Sequence, residues 1–164
     1  MPSASAIRLR DYRPSDLDAV VALFKAAVHR LSAAQYDAAQ RQAWAPEEAD
    51  RQAWQARLAD LQVRVAEHRG RLAGFIGFTA NGHIDLLFSS PQHARQGVAT
   101  ALYLEAEGRL KAAGISSIFT EASLTVRPFF ERQGFSVEQA QTVVRGAVTL
   151  PRLAMRKPLR RPEH

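Results

Sequence analysis

The sequence predicts an α+β (mixed α/β) fold, in which helices flank a mostly antiparallel sheet. Three observations predict it. Short apolar runs bounded by turn residues recur seven times and indicate strands. Longer segments with apolar residues at helical spacing lie before and among these runs. One such segment separates two strands, which is typical of a strand-helix-strand crossover.

The N-terminal part is predicted to be mainly helical. Residues 7–10 form a short strand, after which Ser15 is the expected N-cap of an amphipathic helix. Apolar residues recur at helical spacing in this helix at Leu17, Val20, Val21, Phe24 and Val28. A segment rich in Gln and Ala follows at 34–45, and Pro46 is expected to open another helix that continues to Leu61.

The rest of the chain supplies most of the sheet. Hairpin signals at 68–71 and Asn81-Gly82 predict antiparallel neighbours. Helices are predicted over 97–113 and 127–133, and each is followed by a glycine, a common residue at helix C-termini. The predicted strands are residues 62–67, 72–79, 83–88, 115–123, 137–145 and 148–156.

Length, charge and cysteine content restrict the class of function. The 164 residues, 46% of them hydrophobic, predict one domain over 1–164 and exclude global disorder. Without cysteine the chain has no thiolate nucleophile or Cys-based metal site, and we expect no metal. The absence of a signal-peptide pattern and of a long apolar stretch predicts a cytoplasmic protein without membrane contact. A net charge of +6 indicates an acidic partner, which is a nucleic acid, an anionic membrane or a polyphosphate ligand.

Residues 84–100, IDLLFSSPQHARQGVAT, form a predicted strand, a loop and a helix start. A helix start presents unpaired N–H groups and the positive end of the helix dipole, and Gly97 lets the backbone approach an anion. Arg95 adds a charge and Thr100 a hydroxyl donor. The segment is a candidate pyrophosphate site, and an ordinary helix start with a glycine for packing is the alternative.

The chain resembles the GNAT superfamily of acyl-CoA-dependent N-acyltransferases. The resemblance rests on residues 84–100, EAS at 121–123, PFFERQGF at 128–135 and LAMRKPL at 153–159. Further residues are similar to the YafP-like branch, namely Tyr36, Gln40, Ala43 to Pro46, Trp54 and Arg57. The resemblance implies a GNAT-like sheet of about seven strands with acetyl-CoA as acyl donor. It also implies an acceptor-site region at about 15–61, an acetyl-CoA core at about 62–135 and C-terminal strands at about 136–157.

The resemblance further implies which residues bind acetyl-CoA. The family loop has Gln or Arg, two residues, Gly, one residue, then Gly or Ala, which falls on Ala94, Gly97 and Ala99, so the first position departs from the pattern. Loop N–H groups are expected to bind the pyrophosphate, and the Leu87 N–H to polarise the thioester carbonyl. The implied residues are Leu87, Phe88, Ser89, Arg95, Gln96, Gly97, Val98, Ala99, Thr100, Ser123, Phe129 and Phe130.

Acetylation of an amine needs the neutral amine, and an alkylammonium with a pKa of about 10.4 is almost fully protonated at pH 7. Strand alternation predicts that His83, Asp85, Leu87 and Ser89 share one face. Asp85 is the first candidate base and His83 the second. Alternatively, Asp85 orients the substrate or pairs with an arginine, and His83 is a solvated hairpin residue.

The remaining candidate residues surround the acceptor. Phe130 replaces the family tyrosine that often protonates the leaving thiolate, so the acid is unassigned, and Ser123 replaces a family Asn and keeps part of its catalytic role. Tyr36 and Trp44 are expected walls of the substrate site or, alternatively, parts of the core. Glu121 faces the acceptor channel or forms a surface ion pair.

The predicted function is direct transfer of the acetyl group of acetyl-CoA to a primary amine on a small molecule or a protein. One alternative is an acyl-CoA-binding regulator without turnover. The other is a basic nucleic-acid-binding module, which the sequence disfavours because its aromatic and basic residues do not interleave. Its basic residues would be Arg156, Lys157, Arg160 and Arg161. A homodimer is one expected assembly, since exposed strands in the family often pair between subunits.

Overall fold

The computed structural model describes residues 6–159, so Arg160 and Arg161 of the basic cluster lie outside the described residues. The strands are β1 (Arg8–Asp11), β2 (Gln62–His68), β3 (Arg71–Phe78), β4 (His83–Ser89), β5 (Ser117–Ser123), β6 (Ser136–Arg145) and β7 (Val148–Pro158). The helices are α1 (Leu17–Leu31), α2 (Ala38–Trp44), α3 (Arg51–Ala59), α4 (Val98–Ala112) and α5 (Arg127–Arg132). Within residues 6–159, none of the helices is long and apolar enough to cross a membrane.

The seven strands form one sheet in the order β1-β2-β3-β4-β5-β7-β6. Only β4 and β5 pair in parallel, and every other neighbouring pair is antiparallel. The connection between β4 and β5 contains α4, because parallel neighbours need a long crossover. The prediction of a mixed, mostly antiparallel sheet with one crossover is therefore confirmed.

Two apolar layers cover opposite faces of the sheet. The α4 layer includes Leu102, Tyr103, Ile118 and Phe130, and the α1 layer includes Val20, Phe24, Phe75 and Leu86. Gly74 of β3 lies under the first turn of α4, where a Cβ would come within 2.6 Å of Val98 Cγ1. Glycine at this position thus lets the start of α4 lie close to the sheet.

Two predicted helix starts are wrong. Ser15 lies in a 3-10 turn, and Asp16 precedes α1 with its carboxylate accepting a hydrogen bond from the Arg13 N–H at 2.8 Å. The helix expected from Pro46 begins only at the start of α3, because Asp50 is its N-cap and accepts a hydrogen bond from a first-turn N–H at 3.0 Å.

Candidate active site

β4 contains a β-bulge at Asp85. Ile84 and Leu86 pair with consecutive residues of β3, so Asp85 is the extra residue between them. The bulge interrupts the side-chain alternation, because Ile84 and Leu87 belong to the α4 layer whereas Leu86 belongs to the α1 layer. Asp85 contacts Arg57 of α3, which packs on the α1 side. The prediction that Asp85 and Leu87 share a face is therefore wrong.

β4 and β5 separate soon after they meet. They pair over two residue positions, of which the second joins Ile84 and Thr120, and the Thr120 hydroxyl donates to the Ile84 carbonyl oxygen at 2.8 Å. The Ser90 N–H donates to a β3 carbonyl oxygen at 2.8 Å. Because N–H groups alternate along an antiparallel ladder, the N–H groups of Leu87 and Ser89 point away from β3 and into the gap between β4 and β5.

The N-terminus of α4 follows β4 through a short loop. Gly97 is the N-cap with φ of +82°, and Arg95 also has a left-handed backbone with φ of +62°. The first bond of the helix runs from the Ala101 N–H to the Gly97 carbonyl oxygen at 2.9 Å, so the N–H groups of residues 98–100 have no helical acceptor. A Cβ on Gly97 would meet no atom within 4 Å. This open helix start, with Arg95 exposed beside it, can bind an anion.

The predicted cofactor residues of this loop differ in what they can contribute. Val98 is buried in the α4 layer and offers only its backbone, while Ala99 packs partly against the same layer. The Gln96 side chain donates to the Gln92 carbonyl oxygen at 3.2 Å and stabilises the loop. Thr100 is half-buried in the first turn. Backbone N–H groups are therefore the main donors of this loop.

The other predicted cofactor residues lie on different sides of the gap. Phe130 is buried in the α4 layer, and Phe129 packs at its edge. The Phe88 side chain lies in the α1 layer, so only its backbone belongs to the gap. The Ser123 hydroxyl accepts a hydrogen bond from the Val126 N–H at 3.4 Å and thus helps to shape the turn after β5.

A cavity of about 350 Å³ lies beside the gap on the α1 side of the sheet. One wall consists of aromatic rings whose centroids are 4.8 to 6.4 Å apart. We call it the aromatic wall, and it comprises Phe24, Tyr36, Trp44, Trp54 and Phe88. Tyr36 and Trp44 line the cavity and also pack against each other. Their role as walls of a substrate site stays a prediction.

Tyr36 connects three distant segments. It is 3% exposed, and its hydroxyl donates to the Pro151 carbonyl oxygen at 2.6 Å and accepts from the Leu124 N–H at 2.9 Å. Burial raises the pKa of the phenol. Tyr36, which lies between α1 and α2, thus holds the start of the α5 region and strand β7 against this part of the chain.

Three carboxylates line the cavity, and each has a partner. Asp50 accepts a hydrogen bond from the Ala53 N–H at 3.0 Å. Asp85 Oδ2 lies 2.8 Å from Arg57 Nε, and the guanidinium also lies over the Trp54 ring at 5.6 Å. Glu121 Oε1 lies 2.7 Å from His83 Nε2. The His83 ring lies behind Glu121 and is not part of the cavity lining. The bonded Glu121 and His83 are a candidate proton acceptor, and Asp85 is in an ion pair.

Sequence reasoning did not identify Arg145 of β6 and Arg152 of β7, which also line the cavity. The Arg152 Nε donates to the Gln141 side-chain oxygen at 2.9 Å. The available signal was the alternation of β7, in which Leu153 and Met155 enter the α4 layer and Arg152 must point to the other face. Among residues 6–159, no three His, Asp or Glu side chains come together as metal ligands would.

Comparisons with known proteins agree with this geometry. Residues 30–157 match the family model described as an acetyltransferase (GNAT) domain. The chain is 37% identical to the uncharacterized N-acetyltransferase YafP of Escherichia coli over 142 residues, which cover 86% of this chain and 89% of YafP. A GCN5-related N-acetyltransferase from Rhodopseudomonas palustris superposes with a TM-score of 0.90 at 30% identity, covering 94% of this chain and 97% of that one. The PaiA N-acetyltransferase of Thermoplasma acidophilum in complex with coenzyme A superposes with a TM-score of 0.77 at 20% identity, covering 94% and 99%.

Proposed function

The chain belongs to the GNAT acetyltransferase family, and we propose that it transfers the acetyl group of acetyl-CoA to a primary amine. The observation that carries the proposal is the open start of α4. There the N–H groups of residues 98–100 have no helical acceptor, next to a gap into which further N–H groups point. The gap in turn adjoins the cavity, whose lining includes Leu87 and Ser123.

The residues around α4 fit coenzyme A. The free N–H groups and Arg95 would bind the pyrophosphate, and the open space at Gly97 leaves room for it. Leu87 and Ser89 offer backbone groups to an extended arm in the gap, and the Leu87 N–H is the proposed donor to the thioester carbonyl oxygen. That PaiA holds coenzyme A on the same fold supports this proposal.

When bound, acetyl-CoA supplies a thioester whose acetyl group moves to the amine nitrogen, as the C–S bond breaks and the amine loses one proton. Glu121 is the proposed acceptor of that proton, because it lines the cavity and is hydrogen-bonded to His83. Histidine is the side chain that exchanges protons most readily near neutral pH. Asp85 is held by a guanidinium that keeps its charge, so we propose that it orients the amine.

No side chain is proposed to protonate the leaving thiolate. Phe130 carries no exchangeable proton, and the Tyr36 hydroxyl already donates to the Pro151 carbonyl oxygen. A thiolate is a tolerable leaving group at neutral pH, since thiols ionise at a pKa of about 8.5. The proposal therefore includes unassisted departure of the thiolate.

The nucleic-acid alternative has less support. Arg156 pairs with Glu138 at 3.1 Å, and Lys157 pairs with Glu107 at 3.1 Å. These two residues of the predicted basic cluster are therefore neutralised within the chain, which disfavours their use as phosphate contacts.

Acetyl-CoA binding and thiol release across a panel of amines test the proposal. Gly97→Glu should abolish both, because it adds bulk and negative charge in front of the α4 N–H groups. Gly114→Glu is the matched control: Gly114 follows the other end of α4, has φ of +84° and also meets no atom within 4 Å of an added Cβ. Unchanged acetyl-CoA affinity in Gly97→Glu would overturn the site. Binding without thiol release for any amine would favour the regulator instead.

A further inference from the structure

We propose that the acceptor is a free amino acid, which carries both the amine and a carboxylate, and that Arg152 and Arg145 bind the carboxylate. The inference rests on the proposed acetyl transfer and names the class of acceptor for the same cavity. It comes from the charged groups around the cavity, where the carboxylates already have polar partners, whereas Arg145 and Arg152 have no carboxylate partner within residues 6–159.

The carboxylates that line the cavity already have polar partners, and that of Asp50 is the Ala53 N–H at 3.0 Å. Asp85 is paired with Arg57, and Glu121 is hydrogen-bonded to His83. Their side chains are 23% and 27% exposed, so both pairs are partly withdrawn from water. A polycationic acceptor would therefore have to compete with Arg57 and His83 for two of the three carboxylates.

Two arginines, Arg145 and Arg152, line the same cavity. Within residues 6–159, neither Arg145 nor Arg152 forms a salt bridge with a carboxylate. Three other arginines of the sheet are paired with carboxylates, namely Arg10, Arg64 and Arg156. Arg152 is half-buried, and within the described part of the chain its side chain donates to the neutral Gln141 side chain, which orients the guanidinium without neutralising it. A half-buried charge of this kind is stabilised by an anionic ligand.

A guanidinium and a carboxylate make two parallel hydrogen bonds, so Arg152 suits a carboxylate in particular. Its distance from the proposed proton acceptor matches a small molecule. Glu121 pairs across the ladder with Ala154, which makes Arg152 its diagonal neighbour. Diagonal neighbours lie about 7–8 Å apart. An amine near Glu121 and a carboxylate near Arg152 can therefore belong to one amino acid, whose side chain faces the aromatic wall.

Thiol release with matched acceptor pairs tests the inference. The pairs are L-phenylalanine with 2-phenylethylamine, L-methionine with 3-(methylthio)propylamine, and L-lysine with cadaverine, so that each pair differs only in the carboxylate. At least one amino acid should exceed its amine in kcat/KM. Arg152→Gln should lower kcat/KM for that amino acid by roughly 10- to 100-fold, as expected for a hydrogen-bonded charge, and leave the matched amine unchanged.

Two further variants complete the test. Arg8→Gln makes the same chemical change at an exposed arginine of β1 outside the cavity, and should leave both acceptors unchanged. Arg152→Lys keeps the charge and should retain part of the preference for the amino acid. Release of thiol with carboxylate-free amines alone, or an equal loss for both members of a pair in Arg152→Gln, would overturn this inference and keep the proposed function. No release with any acceptor would overturn both.

Discussion

Tyr36→Phe removes a single hydroxyl that satisfies two buried backbone groups. The Leu124 N–H loses its acceptor at 2.9 Å and the Pro151 carbonyl oxygen loses its donor at 2.6 Å, beneath a side chain that is 3% exposed. Leaving a buried polar group without a partner costs about 1–3 kcal/mol. With some relaxation of the turn, the two losses together should lower the free energy of unfolding by about 2–4 kcal/mol.

Urea denaturation followed by tryptophan fluorescence measures this loss directly, since the Trp44 ring lies 5.4 Å from that of Tyr36. A loss of that size corresponds to a fall of roughly 5–15 °C in Tm for a chain of this length. Tyr12→Phe is the matched control. The Tyr12 side chain packs against the α1 layer, and its hydroxyl has no hydrogen bond within the described part of the chain.

The control should change the free energy of unfolding by less than about 0.5 kcal/mol. If Tyr36→Phe also stays within that limit, the hydroxyl does not hold the segments around the cavity together. The reasoning that connects the cavity wall to these two hydrogen bonds would then be refuted.

Three further outcomes are expected. In steady-state kinetics, Glu121→Gln should lower kcat more than Asp85→Asn, because Asp85 is paired with the permanently charged Arg57. A larger loss of kcat in Asp85→Asn would instead indicate that Asp85 is the base. In urea denaturation, Gly74→Ala should destabilise the fold by about 1–3 kcal/mol, because its Cβ would lie 2.6 Å from a methyl group of α4. Gly108→Ala lies in open space within α4 and should stabilise the fold by about 0.5–1 kcal/mol. Burial and a neighbouring histidine lower the pKa of His93, so the unfolded chain binds more protons below about pH 6.5 and stability declines as the pH falls. His93→Gln should flatten that decline, and an unchanged slope would contradict this account.

Secondary structure was largely predictable because local signals decide it. The periods of the apolar residues identify strands and helices, and the glycines after α4 and α5 behave as expected for helix ends. Gly114 and Gly134 have φ of +84° and +99°, and the residue after each donates back into the last turn of its helix. The open start of α4 was predictable for the same reason, because Gly97 at the helix start is a local signal in the sequence.

The cavity was less predictable because its lining depends on contacts between residues that are distant in the sequence. The bulge at Asp85 depends on the register of β3 against β4, which cannot be predicted from the sequence of β4 alone. The pair of Asp85 and Arg57 spans 28 positions, and the pair of His83 and Glu121 spans 38. Arg152 belongs to no motif, and only the assembled sheet brings it to the cavity.

Residues from the early and the late parts of the chain line the cavity, and they are synthesised at different times. The aromatic wall includes Phe24 and Trp44 from early in the chain, whereas Leu150 and Arg152 complete the lining from the last hairpin. Translation proceeds from the N-terminus, so β4 and the start of α4 leave the ribosome before that hairpin exists. The part of the lining that contains Arg152 is therefore the last part that the growing chain can add to the cavity.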